Sequence, residues 1–263
     1  MVNWNLDTKI DLLRTIYNIK RSQIYSDIAG HLPLLYKLAQ TIKPRVIIHS
    51  GVRDGNSCSA FALAQLENGG KLIDIDVLKN SDGDLRKIRD NKTENWEMNI
   101  NNVQDKDLLK KLQDYKGSVD IWFSDTCHSY NGTRFELEEY TKLLSPKGII
   151  LIHDMDPWDA YEGQTRAIDQ WMEKNKEWKV KVQKGHNGMA VFYRDKKHLC
   201  KVKCDSNVGS EYPWGQDLKK IHKQLTKSKK SGISNLLEVN KEDFENFLKI
   251  YDHLPKDKPL KIL

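Results

Sequence analysis

The chain is poor in cysteine, in long apolar runs and in the glycine patterns that mark the commonest nucleotide loops. Its four cysteines are scattered over 263 residues, and only Cys200 and Cys204 stand close together. A C-x-x-x-C pair beside His198 lacks the two further ligands that a zinc site needs at suitable spacing. The thiols are therefore expected to be reduced, as in a cytoplasmic protein. No apolar run at the N-terminus is long enough for a signal peptide or a membrane span, so no membrane partner is expected. G-x-G-x-x-G is absent, which removes the dinucleotide fingerprint, and G-K-[ST] is absent, which removes the phosphate-cradling P-loop. Nothing repeats internally. The net charge of +6 comes mostly from lysine and permits acidic partners without demanding them. With 38% hydrophobic and 30% charged residues, the length suits one large α/β domain plus an appendage.

What is present centres on Arg45 to Ser59, RVIIHSGVRDGNSCS. Val46, Ile47 and Ile48 read as a buried strand that breaks into a turn and then a helix. Gly51 and Gly55 let backbone approach a ligand where side chains would block it. Asn56, Ser57 and Ser59 put polar groups where helix amides begin, suiting a cap or a bound anion. The G-x-x-x-G spacing suits a cofactor whose adenosine, rather than a pyrophosphate, lies over the loop. KLIDIDV (Lys71 to Val77) is a second buried strand, with Asp76 at its carboxyl end. In an open α/β sheet ligands bind at that edge, and an acid there pairs with ribose hydroxyls.

Residues 1–43 read as an amphipathic helical lead-in, with Ile10, Leu13, Ile16 and Tyr17 on one face and Leu34, Leu35, Leu38 and Ala39 on another. Pro33 suits the first turn of the helix before the central strand. Asn80 to Asp84 is a loop, followed by a short charged helix to about Asn95. WEMNINNV (Trp96 to Val103) is a third strand and Asp107 to Tyr115 a helix. Val119 to Phe123 is a fourth strand, ending in Ser124-Asp125-Thr-Cys-His128. Gly132 to Leu144 is a helix, Ser145 to Gly148 a turn, and Ile149 to Ile152 a fifth strand ending in His153-Asp154-Met-Asp156. Thr165 to Lys174 is a helix, and Trp178 to Gln183 and Met189 to Tyr193 are two closing strands. This alternation calls for a doubly wound, mostly parallel α/β sheet of seven strands. Residues 44–194 form that domain, and 195–263 a basic extension. From Lys196 to Lys230 the extension carries ten lysines against three acids. Its plainest reading is a solvated surface, with an acidic or phosphorylated substrate as the other.

The two glycine and acid stretches together resemble class I S-adenosylmethionine (SAM) methyltransferases, a Rossmann-like fold. Gly51 and Gly55 look like that family's first motif and Asp76 like its ribose-binding acid. The acid that usually stands two residues before the first glycine is His49 here. From Val119 to Asp154, VDIWFSDTCHSYNGTRFELEEY…LLSPKGIILIHD resembles the metal-assisted O-methyltransferase branch that includes macrolide sugar O-methyltransferases and proteins called cephalosporin hydroxylases. The likeness covers about residues 26 to 194. It implies a cofactor set of Gly51, Gly55, Asn56, Ser57, Asp76, Asn102 and Asp125, with Asn102 near adenine. It also implies Mg²⁺ held by Asp125 and Asp154, which keeps several waters and lowers the pKa of a substrate hydroxyl. The third ligand falls on Met155 on one register and on His153 on the other, with Asp156 as a further candidate. His128 and His153 are the expected catalytic histidines, the first as general base and the second as support or ligand.

The expected activity is SAM-dependent O-methylation of a small-molecule or sugar hydroxyl, by a protein compatible with homo-oligomers. Two other readings stay open: a SAM- or nucleotide-sugar-binding protein without turnover, and a methyltransferase with an amine or other acceptor. Nucleic acid is disfavoured because an Asn/Asp-Pro-Pro-Tyr motif is absent and the 196–230 lysines are mostly without interleaved aromatics.

Overall fold

The central strands are built from runs that bury both faces. Val46–Ser50 (β1) and Val119–Ser124 (β4) are buried at every position, which is why they read as unbroken rather than alternating apolar text. They pair in parallel with each other, β1 with Lys71–Asp76 (β2), β2 with Trp96–Ile100 (β3), and β4 with Leu144–His153 (β5). Lys179–Gln183 (β6) and Met189–Tyr193 (β7) close the far edge, β7 running antiparallel to both β5 and β6. The strand order is β3-β2-β1-β4-β5-β7-β6. The winding direction reverses between β1 and β4, so their carboxyl ends flank the crevice where such sheets bind ligands. The computed structural model describes residues 31–78, 95–156, 161–183 and 187–195, with Leu12 and Ile28 besides. The rest of the lead-in, the charged helix expected after Asp84 and the lysine-rich extension beyond Asp195 lie outside the described residues.

Alternate strand residues feed two cores. On one face Ile47, Phe123 and Leu151 pack with Leu32–Ile42 (α1) and Asn56–Asn68 (α2). On the other, Ile48, Trp122 and Ile150 pack with Lys106–Leu112 (α3), Tyr130–Tyr140 (α4) and Glu162–Lys174 (α5). Pro33 falls in the first turn of α1, where no intrahelical donor is lost. Asp105 caps α3 by accepting from the Leu108 amide, and Ser129 caps α4 by accepting from the Gly132 amide. At the edge away from the crevice, the Arg45 guanidinium forks onto Asp120 at 3.1 Å, and Asp120 also accepts from the Arg45 amide and the Ser145 hydroxyl. Burial raises Asp120, but these donors outweigh it and hold its carboxyl below the usual range. The knot ties the starts of β1, β4 and β5 together.

The elements differ from the sequence reading mainly at their ends. β3 stops at Ile100 rather than Val103, and the helices after β3 and β4 finish in short 3₁₀ turns at Gln113–Tyr115 and Thr141–Leu143. The expected Ser145–Gly148 turn is instead absorbed into β5. Val119 pairs with Leu144 and Ile121 already with Ile149, so the extra residues bulge outward, leaving Pro146 and Lys147 exposed while Ser145 points in to Asp120. No helix among the described residues is long and apolar enough to cross a membrane.

Candidate active site

The first half of the site is the loop from Gly51 to Gly55. Its start is stitched to both neighbouring strands, with the Gly51 amide donating to Ile75 O and the Asp125 amide donating to Ser50 O, each at 2.9 Å. Gly51 has φ +85°, and a Cβ there would fall 1.9 Å from the Asp125 carbonyl oxygen. Only glycine serves at this position. Asp76 ends β2 with its carboxylate under the loop, where Oδ2 accepts from the Val52 and Arg53 amides and Oδ1 from the Leu78 amide, all at 2.8 Å. Three of its roughly four acceptor positions are thus taken by backbone.

The expected side-chain cap from Asn56, Ser57 or Ser59 is corrected by the structure. Gly55, with φ +82°, occupies the N-cap and α2 has no side-chain cap. Ser59 donates to the Asn56 carbonyl, and the Ser57 hydroxyl is drawn the other way, to His49 Nε2 at 2.9 Å. His49 Nδ1 in turn lies 2.7 Å from Asp74 Oδ1, while Asp74 Oδ2 accepts from Cys58 Sγ at 2.9 Å and from Trp96 Nε1 at 2.6 Å. Asp74, Cys58 and Trp96 carried no functional expectation. The signal lay in the parallel register, which sets His49 directly beside Asp74. Asn102 is exposed, and its side-chain oxygen accepts from the Gln104 amide as a turn residue does.

The second half forms where β4 and β5 end. Asp125 and Asp154 follow these adjacent strands, and ligand atoms of Asp125, His128 and Asp154 converge within 4.8 Å of one another. Asp154 holds a left-handed φ of +60°, a conformation that asparagine and aspartate tolerate best and that concentrates at functional sites. His128 Nε2 sits 3.0 Å from Asp154 Oδ2, and its ring stacks on Tyr161 at 4.0 Å between centroids. His153 is fully buried, with Nδ1 at 3.6 Å from Asp125 Oδ2 and 3.5 Å from Asp154 Oδ1. Burial pulls the His153 imidazole down, but the two carboxylates outweigh it and push it up to about 10. Burial likewise raises Asp154, yet His128 and His153 hold it well below the usual carboxylate range.

Of the three candidates for a third ligand, Met155 is removed: it is 1% exposed in the core, and its sulfur accepts from Gln164 Nε2, which also donates to the His153 carbonyl. The residue that joins the two aspartates is His128. Behind them, Glu136 of α4 accepts from the Ser124 and Thr126 hydroxyls, and burial pushes its carboxyl up to about 7. Glu136, Gln164, Asp125, His128 and His153 line one cavity. Glu136, Gln164 and Tyr161 had no signal in the linear text, because their roles come from packing against the strand ends.

Winding and switch point define this as a class I methyltransferase fold. Residues 48–155 match a family model described as a methyltransferase domain. Among solved structures, the chain is similar to the O-methyltransferase TomG from Streptomyces achromogenes in complex with SAM, at 15% identity and TM-score 0.53, over 74% of this chain and 92% of that one. It is also similar to an O-methyltransferase from Bacillus cereus in complex with S-adenosylhomocysteine (SAH), at 17% identity and TM-score 0.51, over 73% and 93%. A third is a TDP-rhamnose 3′-O-methyltransferase of calicheamicin biosynthesis, at 16% identity and TM-score 0.50, over 71% and 93%. No curated protein matches the chain.

Proposed function

We propose that the protein transfers the methyl group of SAM to a hydroxyl of a small-molecule or sugar acceptor, assisted by a divalent cation. The observation that carries this reading is the convergence of Asp125, His128 and Asp154 beside the Gly51 loop, at the carboxyl ends of β4 and β5. Of the solved structures named above, one is an O-methyltransferase involved in tomaymycin synthesis and one a TDP-rhamnose 3′-O-methyltransferase, which supports that acceptor class.

Gly51, Gly55, Asn56 and Ser57 would border the cofactor, and Asp76 would use its remaining acceptor position for a ribose hydroxyl while bracing the loop. Asn102, exposed past the end of β3, would be the residue beside adenine. Two carboxylates fit a hard divalent cation such as Mg²⁺. Asp154 Oδ1 is buried with no aligned hydrogen bond, an acceptor left over for that role. Asp125 and Asp154 would hold the cation, which when bound lowers the pKa of the acceptor hydroxyl. His128 takes the proton. Its Nε2 is buried against Asp154 and Tyr161 fixes the ring plane, so uptake falls to Nδ1 on a ring that is 27% exposed. His153, with no exposed side-chain surface, supports the two carboxylates from behind and does not reach an acceptor.

The test is transfer from methyl-labelled SAM to a panel of phenols, sugars and nucleotide sugars, with and without EDTA. Transfer that EDTA stops and Mg²⁺ or Mn²⁺ restores is the expected result. Full activity in chelator would remove the cation from Asp125 and Asp154. SAM binding without transfer to any acceptor would leave a binding module, and transfer only to amines would move the acceptor class.

A further inference from the structure

The two carboxylates of the candidate cation site are each held in place by one buried polar residue, and both of these residues come from helices on the same side of the sheet. Glu136 of α4 is 1% exposed and accepts from the Ser124 hydroxyl at 2.7 Å and from the Thr126 hydroxyl at 2.5 Å, the neighbours of Asp125 on either side. Gln164 of α5 is 3% exposed. Its amide nitrogen donates to the His153 carbonyl at 3.0 Å and to Met155 Sδ at 2.9 Å, the neighbours of Asp154 on either side. With Ser124 and Thr126 drawn to α4, Asp125 directs its carboxylate to His153, Oδ2 lying 3.6 Å from Nδ1. Asp154 has the greater need of a clamp, because its left-handed φ of +60° persists only where the surroundings over-determine it. The chemistry of each clamp matches its partners. Two hydroxyls can both donate to one carboxyl, whereas a carbonyl oxygen and a thioether sulfur only accept and so need the two N–H of an amide. Apolar side chains at 136 and 164 would pack against the core of Trp122, Ile150 and Ile152 without the desolvation that an acid and an amide carry.

We propose that Glu136 and Gln164 are paired positioning residues that set the separation and direction of Asp125 and Asp154 for a divalent cation. Glu136 acts through the hydroxyls beside Asp125, and Gln164 through the carbonyl and sulfur beside Asp154. Each reaches the site only through the residues it grips. This rests on the reading that Asp125 and Asp154 hold the cation.

Binding of Mn²⁺ alone to the full chain, followed by the electron paramagnetic resonance of the free ion, reads the clamps without any turnover. Glu136→Leu removes the acceptor, whereas Glu136→Gln keeps an amide that both hydroxyls can meet. Gln164→Met keeps the length and removes both donors. Thr126→Val and Met155→Leu each open one clamp from the strand side and leave the buried residue its other partner, so both clamps are tested even where the helix variants fail to fold. Glu136→Leu and Gln164→Met are each expected to weaken Mn²⁺ binding by about tenfold, and the two strand-side variants by about threefold, the scale of one or two hydrogen bonds. Glu136→Gln should bind as the wild type does. Wild-type affinity in folded Thr126→Val or folded Met155→Leu, with circular dichroism as the check on folding, would overturn that clamp and leave the cation reading standing. A loss in Glu136→Gln as large as in Glu136→Leu would overturn the grip of Glu136 on the hydroxyls, since its charge would then carry the effect. A wild type that binds no Mn²⁺ would overturn the cation reading and both clamps with it.

Discussion

Glu136 offers a measurement in which the pH sets the size of the effect. Its carboxyl is 1% exposed, and burial moves it from an ordinary 4.5 up to about 7 in the folded protein. The folded state therefore holds this proton more tightly than the unfolded chain. Between these two values unfolding releases a proton, so stability falls as pH rises, and above about 7 the full cost of a buried anion is present. At about 1.4 kcal/mol for each pH unit between the two values, the cost approaches about 3 kcal/mol at pH 8.5 and vanishes below pH 4.5. Glu136→Gln imitates the protonated form and still offers one acceptor and one donor to Ser124 and Thr126. Urea unfolding of both proteins from pH 4 to pH 9 should give matching stabilities at the acid end. The variant should gain about 1–3 kcal/mol over wild type at the alkaline end. Parallel curves, separated by a constant at every pH, would refute the claim that Glu136 is buried with a raised affinity for its proton.

Three further outcomes follow from the same geometry. His128→Ala should lose at least about 100-fold in kcat, a general-base contribution, with SAM affinity near wild type; normal turnover with a dead His153→Ala would reverse the two roles. Asp76→Ala should weaken SAM binding by about 1.5–3 kcal/mol in calorimetry, and it should also lower Tm because the Val52, Arg53 and Leu78 amides lose their acceptor. Asp120→Asn should cost about 1–2 kcal/mol in urea unfolding without changing SAM affinity, since its partners Arg45 and Ser145 lie at the opposite edge of the sheet.

The sheet was legible because its strands are buried on both faces: Val46 to Ile48 and Ile149 to Ile152 announce themselves as unbroken apolar runs. Acids at strand ends, Asp76, Asp125 and Asp154, were legible for the same reason, since the strand's end locates them. The Asp125–Asp154 meeting needed only the adjacency of β4 and β5. His49 with Asp74 was not legible, although both residues were in view. They stand 25 positions apart, and only the parallel register makes them neighbours. His128 was expected as a base but not as a member of the carboxylate cluster, because a loop residue's direction depends on what it stacks against, here Tyr161. The Ser145–Gly148 turn misled because Pro and Gly mark a bulge inside a strand as readily as a turn between elements.

The absence of any space between Gly51 and the Asp125 carbonyl has a thermodynamic side. The loop proposed to bind the cofactor and the first carboxylate of the proposed cation pair meet through backbone, which has no rotamer to give way, and the Asp125 amide is bonded to Ser50 on the loop's own strand. A shift of one is a shift of the other. Filling either site therefore biases the shape of its neighbour, and linkage makes the bias reciprocal: whatever factor the cation adds to cofactor affinity, the cofactor must add to cation affinity. In such an arrangement metal titrations made without the cofactor measure a different constant from those made with it.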